Sequence, residues 1–148
     1  MLVSSGHIEY APLLAELHGH CFPVGWSKKE MENLLGLPST IAWVTEDSFL
    51  ICSHVLDEME ILTIGVLPDK RKQHLASLLL EDLMTYAQSH EVRKIFLEVS
   101  IQNKPAQGLY TKFGFVRSGI RKAYYSTPTG PEDALCLVKK VHKGKSLP

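Results

Sequence analysis

Leu13, Leu14, Leu17 and Phe22 recur at helical spacing and predict a first helix from about Ala11 to His20, closed by Pro23. Ser27 and Glu30 stand at capping-box spacing, the serine accepting from a free backbone N–H and the glutamate reaching back. A second helix is therefore expected from Ser27 to about Leu35, ended by Gly36 and Pro38. The period then shortens. Thr40 to Thr45 and Phe49 to Leu56 are β-rich runs separated by Glu46-Asp47-Ser48, which predicts an antiparallel hairpin, and Glu60 to Val66 adds a third run that stops at Pro68. Together they predict a three-stranded meander.

Beyond Pro68 the spacing is helical again. Leu75, Leu78, Leu79, Leu83, Tyr86 and Ala87 line one stripe, with Glu81, Asp82 and Gln88 away from it, predicting a helix over about Gln73 to His90. Lys94 to Ser100 alternates, with Ile95, Leu97 and Val99 on one face and Phe96, Glu98 and Ser100 on the other. Strand, helix and strand in that order imply a parallel, right-handed crossover. Asn103 is placed to cap a short fourth helix. Pro105 falls in its first turn, where a missing N–H costs nothing, and Ala106, Leu109, Tyr110 and Phe113 keep helical spacing up to Gly114. Phe115 to Arg121 and Ala134 to Lys140 read as a final strand pair joined by a polar loop containing Pro and Gly; Lys143 to Pro148 reads as a frayed tail. The fold class is α/β (α+β).

A chain of 148 residues has room for one compact domain that buries roughly two thirds of its unfolded surface, so residues 1–148 are read as a single domain. Apolar residues at 45% and charged residues at 22% are ordinary for a soluble globular protein. Lys plus Arg balance Asp plus Glu at 16 each, which argues against a sequence-independent grip on nucleic acid, since that needs excess positive charge. Contact with a protein tail stays open. Cys21, Cys52 and Cys136 are widely spaced in apolar surroundings and read as reduced structural thiols. The seven histidines lack ligand-like spacing, so neither a metal site nor a Ser/His/Asp hydrolase is expected. Met1 to Tyr10 shows no basic segment followed by an apolar run, and no apolar stretch approaches the roughly 20 residues that span a bilayer. A cytoplasmic protein without membrane contact is expected.

Four local patterns carry a resemblance. Ile64-Gly65-Val66-Leu67-Pro68 is followed by Arg71-Lys72-Gln73-His74-Leu75-Ala76; Leu97-Glu98-Val99 is followed by Asn103, Ala106 and Leu109-Tyr110; Phe113-Gly114-Phe115 comes third; Arg121-x-x-Tyr124-Tyr125 with Glu132-Asp133-Ala134 is last. Their order and spacing resemble the GNAT family of N-acetyltransferases over nearly the whole chain. The Leu-Glu-Val strand with the Tyr-Tyr and Glu-Asp-Ala pattern is similar to the RimI-type branch, which acetylates protein N-termini. Phe22-Pro23 and Trp26-Ser27 are similar to that branch's Phe-Pro-Trp-Ser segment, with Val24 and Gly25 inserted.

The resemblance implies a mixed central sheet with a splayed parallel strand pair, Glu60 to Val66 and Lys94 to Ser100, flanked by helices, with acetyl-CoA as co-substrate and no metal. It implies that Ile64, Gly65 and Val66 face the pantetheine arm and that Arg71, Lys72, Gln73, His74, Leu75, Ala76 and Ser77 hold the pyrophosphate. A helix N-terminus, with its unsatisfied N–H groups and partial positive charge, suits that anion. From the residues alone, Arg71 to Ser77 reads first as a basic, solvated helix start. His74 stands where the family has glycine, and an imidazole fits there if the backbone stays helical and the ring points outward.

Asn103 would touch the coenzyme as well as cap its helix, or cap it only. Glu98 is the implied base, direct or through water, and otherwise a surface glutamate on a half-exposed strand. A solution glutamate at about 4.3 is a poor base toward an α-ammonium at about 7.7–8.0, so burial would have to raise it or a water relay carry the proton away. Tyr110 would meet the departing thiolate, mostly by hydrogen bonding, or is a core aromatic. Tyr124 and Tyr125, in the loop between the last strands, would hold the acceptor peptide, or pack the sheet. Trp26 would join them, or staple the second helix to the core. The implied activity is acetyl transfer to the N-terminal amine of a protein, a ribosomal protein's N-terminal alanine by the branch. Small-amine or lysine acetylation on the same fold, and a binding protein with an impaired coenzyme loop, are the alternatives. The oligomeric state stays open.

Overall fold

The computed structural model of the chain describes residues 2–3, 7–71 and 74–142; Lys72 and Gln73 of the coenzyme loop and the tail from Lys143 lie outside them. The described residues fall into two compact units, one within Met1–Leu56 and Ile61–Leu83, the other within Asp57–Glu60 and Met84–Pro148.

In the first unit, a 3-10 turn at Ile8–Tyr10 leads into α1 (Ala11–Cys21), followed by α2 (Lys28–Leu35). Strands β1 (Leu2–Val3), β2 (Thr40–Val44), β3 (Ser48–Val55) and β4 (Glu58–Val66) lie in that order across the sheet, as the meander requires. β1 and β3 both run antiparallel to β2, with Leu2 opposite Trp43 and Val44 opposite Phe49. The capping box forms: Ser27 Oγ accepts from Glu30 N–H, and Glu30 Oε1 accepts from Ser27 N–H, both at 3.1 Å. Leu14, Leu17, Met31 and Leu35 from the helices pack on Ala42, Val44, Phe49 and Ile51 from the strands. Each large side chain fully buried this way contributes roughly 1.5–3 kcal/mol.

Helix α3 (Leu75–Ser89) corrects one expectation about its apolar stripe. Leu79, Leu80, Leu83 and Ala87 are the buried positions, while Leu78 is 53% exposed. At 3.6 residues per turn, Leu78 falls nearly opposite the centre of that stripe, and Leu75 and Tyr86 fall on its flanks, half-buried.

In the second unit, β5 (Lys94–Ser100), α4 (Lys104–Lys112), β6 (Val116–Thr127) and β7 (Gly130–Lys140) follow, with strand order β5-β7-β6 and both pairings antiparallel. β5 alternates as expected: Ile95, Leu97 and Val99 are buried, and Glu98 lies on the half-buried face. α4 ends in a Schellman motif, Gly114 N–H donating to Thr111 O and Phe115 N–H to Tyr110 O, with Gly114 at φ 91°. The accompanying apolar contact is Tyr110 against Phe115, edge to face at 5.6 Å.

The last hairpin is longer than the apolar pattern indicates. Tyr124 and Tyr125 lie inside β6 rather than in a loop, because pairing continues through Tyr125 opposite Glu132 to Thr127 opposite Gly130. Aromatic and β-branched residues over 124–127 favour strand. Pro131 is tolerated in β7 because the strand there has run past the end of β5, whose last partner is Ala134.

Candidate active site

Within the first unit, β4 delivers the loop assigned to the coenzyme. Its exit is fixed by Leu67 N–H donating to Asp47 O at 2.8 Å, after which Pro68–Lys70 make a 3-10 turn. Arg71 turns back, Nε donating to Val66 O at 3.1 Å, and its guanidinium also reaches the Cys21 thiol. Burial nevertheless raises the pKa of that thiol. Gly65 has a packing reason of its own: a Cβ there would lie 2.6 Å from the Phe49 ring and 3.1 Å from Cys21 Sγ.

His74 does not meet the condition set from the sequence. Its backbone is left-handed, at φ 60°, and the right-handed helix starts one residue later, at Leu75. The imidazole is exposed. A non-glycine residue in this region costs roughly 1–2 kcal/mol, so histidine keeps a conformation that glycine takes freely. The first turn of α3 carries no acidic residue, and Leu78 N–H donating to His74 O closes its first helical bond. Amides of a first turn point out of the helix end. A helix end of this kind is where the resemblance assigns the pyrophosphate.

Trp26 does staple the corner between α1 and α2, through a residue that the sequence did not single out. His18 is buried, stacked between Phe22 at 4.4 Å and Trp26 at 4.5 Å and tilted against Phe49 at 5.7 Å. Its Nδ1 accepts from Trp26 N–H at 3.0 Å, so this ring is held as the neutral, Nε2-protonated tautomer. Desolvation lowers its pKa, against a smaller opposing pull from Glu30. The available signal was positional: His18 stands four residues from both Leu14 and Phe22 in the apolar face of α1.

In the second unit, three predicted positions, Glu98, Tyr124 and Tyr125, gather with Arg121. The Glu98 side chain is 20% exposed; its Oε1 lies 3.1 Å from Arg121 Nε. Interaction with the Glu98 carboxylate, foremost, and burial raise the pKa of Tyr124. Tyr125 donates to the backbone carbonyl of Glu98 at 3.3 Å; burial foremost, with the nearby Tyr124, Glu98, Glu132 and Cys136, pushes its phenol up to about 12. Both tyrosines therefore stay protonated donors at neutral pH. Arg121 caps the group, its Cζ 5.0 Å over the Tyr124 ring.

The strand irregularity between Arg121 and Tyr125 makes this clustering possible. Alternation would send Arg121 and Tyr125 to one face and Tyr124 to the other, but a bulge intervenes, with Ala123 at φ 51°. Asp133 Oδ1 accepts from Ala123 N–H at 2.8 Å, while its backbone carbonyl accepts from Ile101 N–H at 3.0 Å. The Glu-Asp-Ala pattern thus has a structural task in holding the bulge that presents Tyr-Tyr. Asn103 caps α4, Oδ1 accepting from Ala106 N–H at 3.2 Å, and is exposed. Tyr110 is 4% exposed. No group of three or more His, Cys, Asp or Glu among the described residues is arranged to hold a metal ion.

The profile of the Acetyltransferase (GNAT) family matches residues 11–115. The chain belongs to the GNAT family. Among relatives, it is 35% identical over 126 residues to the [ribosomal protein bS18]-alanine N-acetyltransferase of Escherichia coli K12, covering 82% of this chain and 84% of that one. The crystal structure of the ribosomal-protein-S18-alanine N-acetyltransferase from Escherichia coli superposes with a TM-score of 0.85 at 28% identity, over 100% of this chain and 99% of that one. Arabidopsis thaliana NAA60 in complex with acetyl-CoA shares the fold at a TM-score of 0.79 and 19% identity, over 95% and 98%. The mixed α/β architecture predicted from the sequence is that of GNAT proteins. Arg121 and Asp133, part of the quoted motifs but given no task from them, are the unforeseen members of the cluster around Glu98, since a bulge leaves no mark in an alternation pattern.

Proposed function

We propose that the chain, as one catalytic domain over residues 1–148, transfers the acetyl group of acetyl-CoA to the N-terminal amine of a ribosomal protein. The observation that carries the proposal is the Glu98 carboxylate paired with Arg121 beside Tyr124, with Tyr125 donating to the Glu98 backbone carbonyl, in a chain 35% identical to an enzyme named for alanine N-acetylation of a ribosomal protein.

An acyl thioester supplies an activated carbonyl carbon and a thiolate leaving group. Arg71, Lys72, Gln73 and His74, with the first turn of α3 at Leu75, Ala76 and Ser77, hold the pyrophosphate, and Ile64, Gly65 and Val66 with Asn103 position the arm. Tyr124 and Tyr125 orient the acceptor peptide, each offering an aromatic face and a polar tip, and the resemblance assigns Trp26 to the acceptor as well. An α-amino group near 7.7–8.0 is mostly protonated at pH 7, and only the neutral amine attacks. Glu98 takes that proton, directly or through a water, before the freed nitrogen attacks; the C–N bond then forms as the C–S bond breaks, and the second proton that the nitrogen sheds ends on the departing thiolate. Tyr110 donates a hydrogen bond to the sulfur as negative charge grows on it.

The decisive experiment offers acetyl-CoA and two versions of one short peptide, with a free alanine N-terminus and with a blocked one that keeps an internal lysine. Mass gain on the free peptide alone supports the proposal. Gain on the blocked peptide would move the activity to lysine.

A further inference from the structure

Glu98, Arg121 and Tyr124 together have the composition of a cation site. A carboxylate supplies the charge and an aromatic face lies 5.0 Å below the cation. The cation now in it is a side chain of the same unit. Arg121 is tethered on β6 and its side chain is 56% exposed, against 20% for Glu98. An exposed guanidinium held by one ion pair and one ring contact gains little there and can swing into water. The carboxylate it covers is the less accessible partner, so a competing cation gains by replacing it.

We propose that Arg121 is a placeholder for the acceptor's α-ammonium: it occupies the site between Glu98 and Tyr124 in the free enzyme and is displaced when an N-terminal amine binds. The inference rests on the N-terminal acetyltransferase reading and makes Arg121 a specificity-determining residue. Exchange of one cation for another keeps the Glu98 carboxylate compensated throughout, whereas a neutral or blocked N-terminus offers the carboxylate no charge and gains nothing at this position with or without Arg121. Any acceptor must therefore bring a positive charge of its own to open the site. Discrimination against blocked ends follows without a steric gate.

Calorimetric titration of a short peptide with a free alanine N-terminus, and of the same peptide N-acetylated, into wild type, Arg121→Gln and Arg121→Lys tests this. With the competitor removed, the free peptide is expected to bind Arg121→Gln roughly three- to tenfold more tightly than wild type, the size of an exposed ion pair with a cation–π contact. The blocked peptide should bind both equally, and Arg121→Lys, which restores a tethered cation, should return the affinity toward wild type. Unchanged or weaker binding of the free peptide to Arg121→Gln, or equal tightening of both peptides, would overturn the proposal. Acetyl transfer by the wild type is a separate readout: its absence would remove the proposed function, while the affinity ratios still decide on Arg121.

Discussion

Glu98 and His74 carry the sharpest consequences at the level of single residues. Glu98→Gln keeps the shape of the side chain and its place on β5 but removes the proposed proton acceptor, so turnover should fall by an order of magnitude or more with acetyl-CoA affinity nearly unchanged. Steady-state kinetics beside coenzyme titration separates these effects, and full activity in the variant would strip Glu98 of the role. His74→Gly relieves a left-handed backbone while adding freedom to the unfolded chain. The two terms leave a net gain of up to about 1 kcal/mol, readable as a higher urea midpoint, and acetyl-CoA should bind at least as tightly. A lower midpoint with weaker binding would mean that the imidazole contributes more than its backbone costs. The sequence exposed the histidine as a departure, but its φ depends on where α3 begins, which apolar spacing locates only to within a turn.

Elements were legible wherever one face of a strand or helix is buried and the other is not. β5 has the predicted bounds, and α2 begins behind its capping box, because in both the local pattern and the burial agree. The hairpin of β6 and β7 was read too short because most of β6 is exposed or half-exposed and shows no apolar alternation. For the same reason the bulge that presents Tyr124 and Tyr125 leaves no trace in the pattern. Asp133→Ala takes away the acceptor of Ala123 N–H at that bulge. Since Ala123 is exposed and water can replace the bond, the melting temperature should change little, whereas KM for the acceptor peptide should rise; an unchanged KM would show that the bulge holds without it. On the other unit, Gly65→Ala puts a methyl group against a fully buried Phe49 ring that has no room to retreat. Overpacking of this kind costs about 1–3 kcal/mol, which a denaturant titration would register; a wild-type midpoint would contradict the contact.

For the molecule as a whole, pH acts through the aromatic stack. Burial holds the His18 pKa below its unfolded value, so between the two values the unfolded chain binds more protons than the folded one. Stability from this group is therefore complete above about pH 6.5 and is lost as pH falls toward the depressed folded value. His18→Phe keeps a ring but gives up the acceptor for Trp26 N–H; it should be less stable than wild type at neutral pH and should lose less on acidification. Equal acid slopes for the two proteins would assign the loss to other groups. The overall architecture was readable because its succession of elements is shared across the GNAT family, whereas the chemistry depends on which amine reaches Glu98. The most direct measurement is the mass of a free-alanine ribosomal N-terminal peptide and of its blocked, lysine-containing counterpart after incubation with acetyl-CoA and the purified protein. One acetyl group on the free peptide alone is the predicted result; acetylation of the blocked peptide, or of neither, would contradict the account.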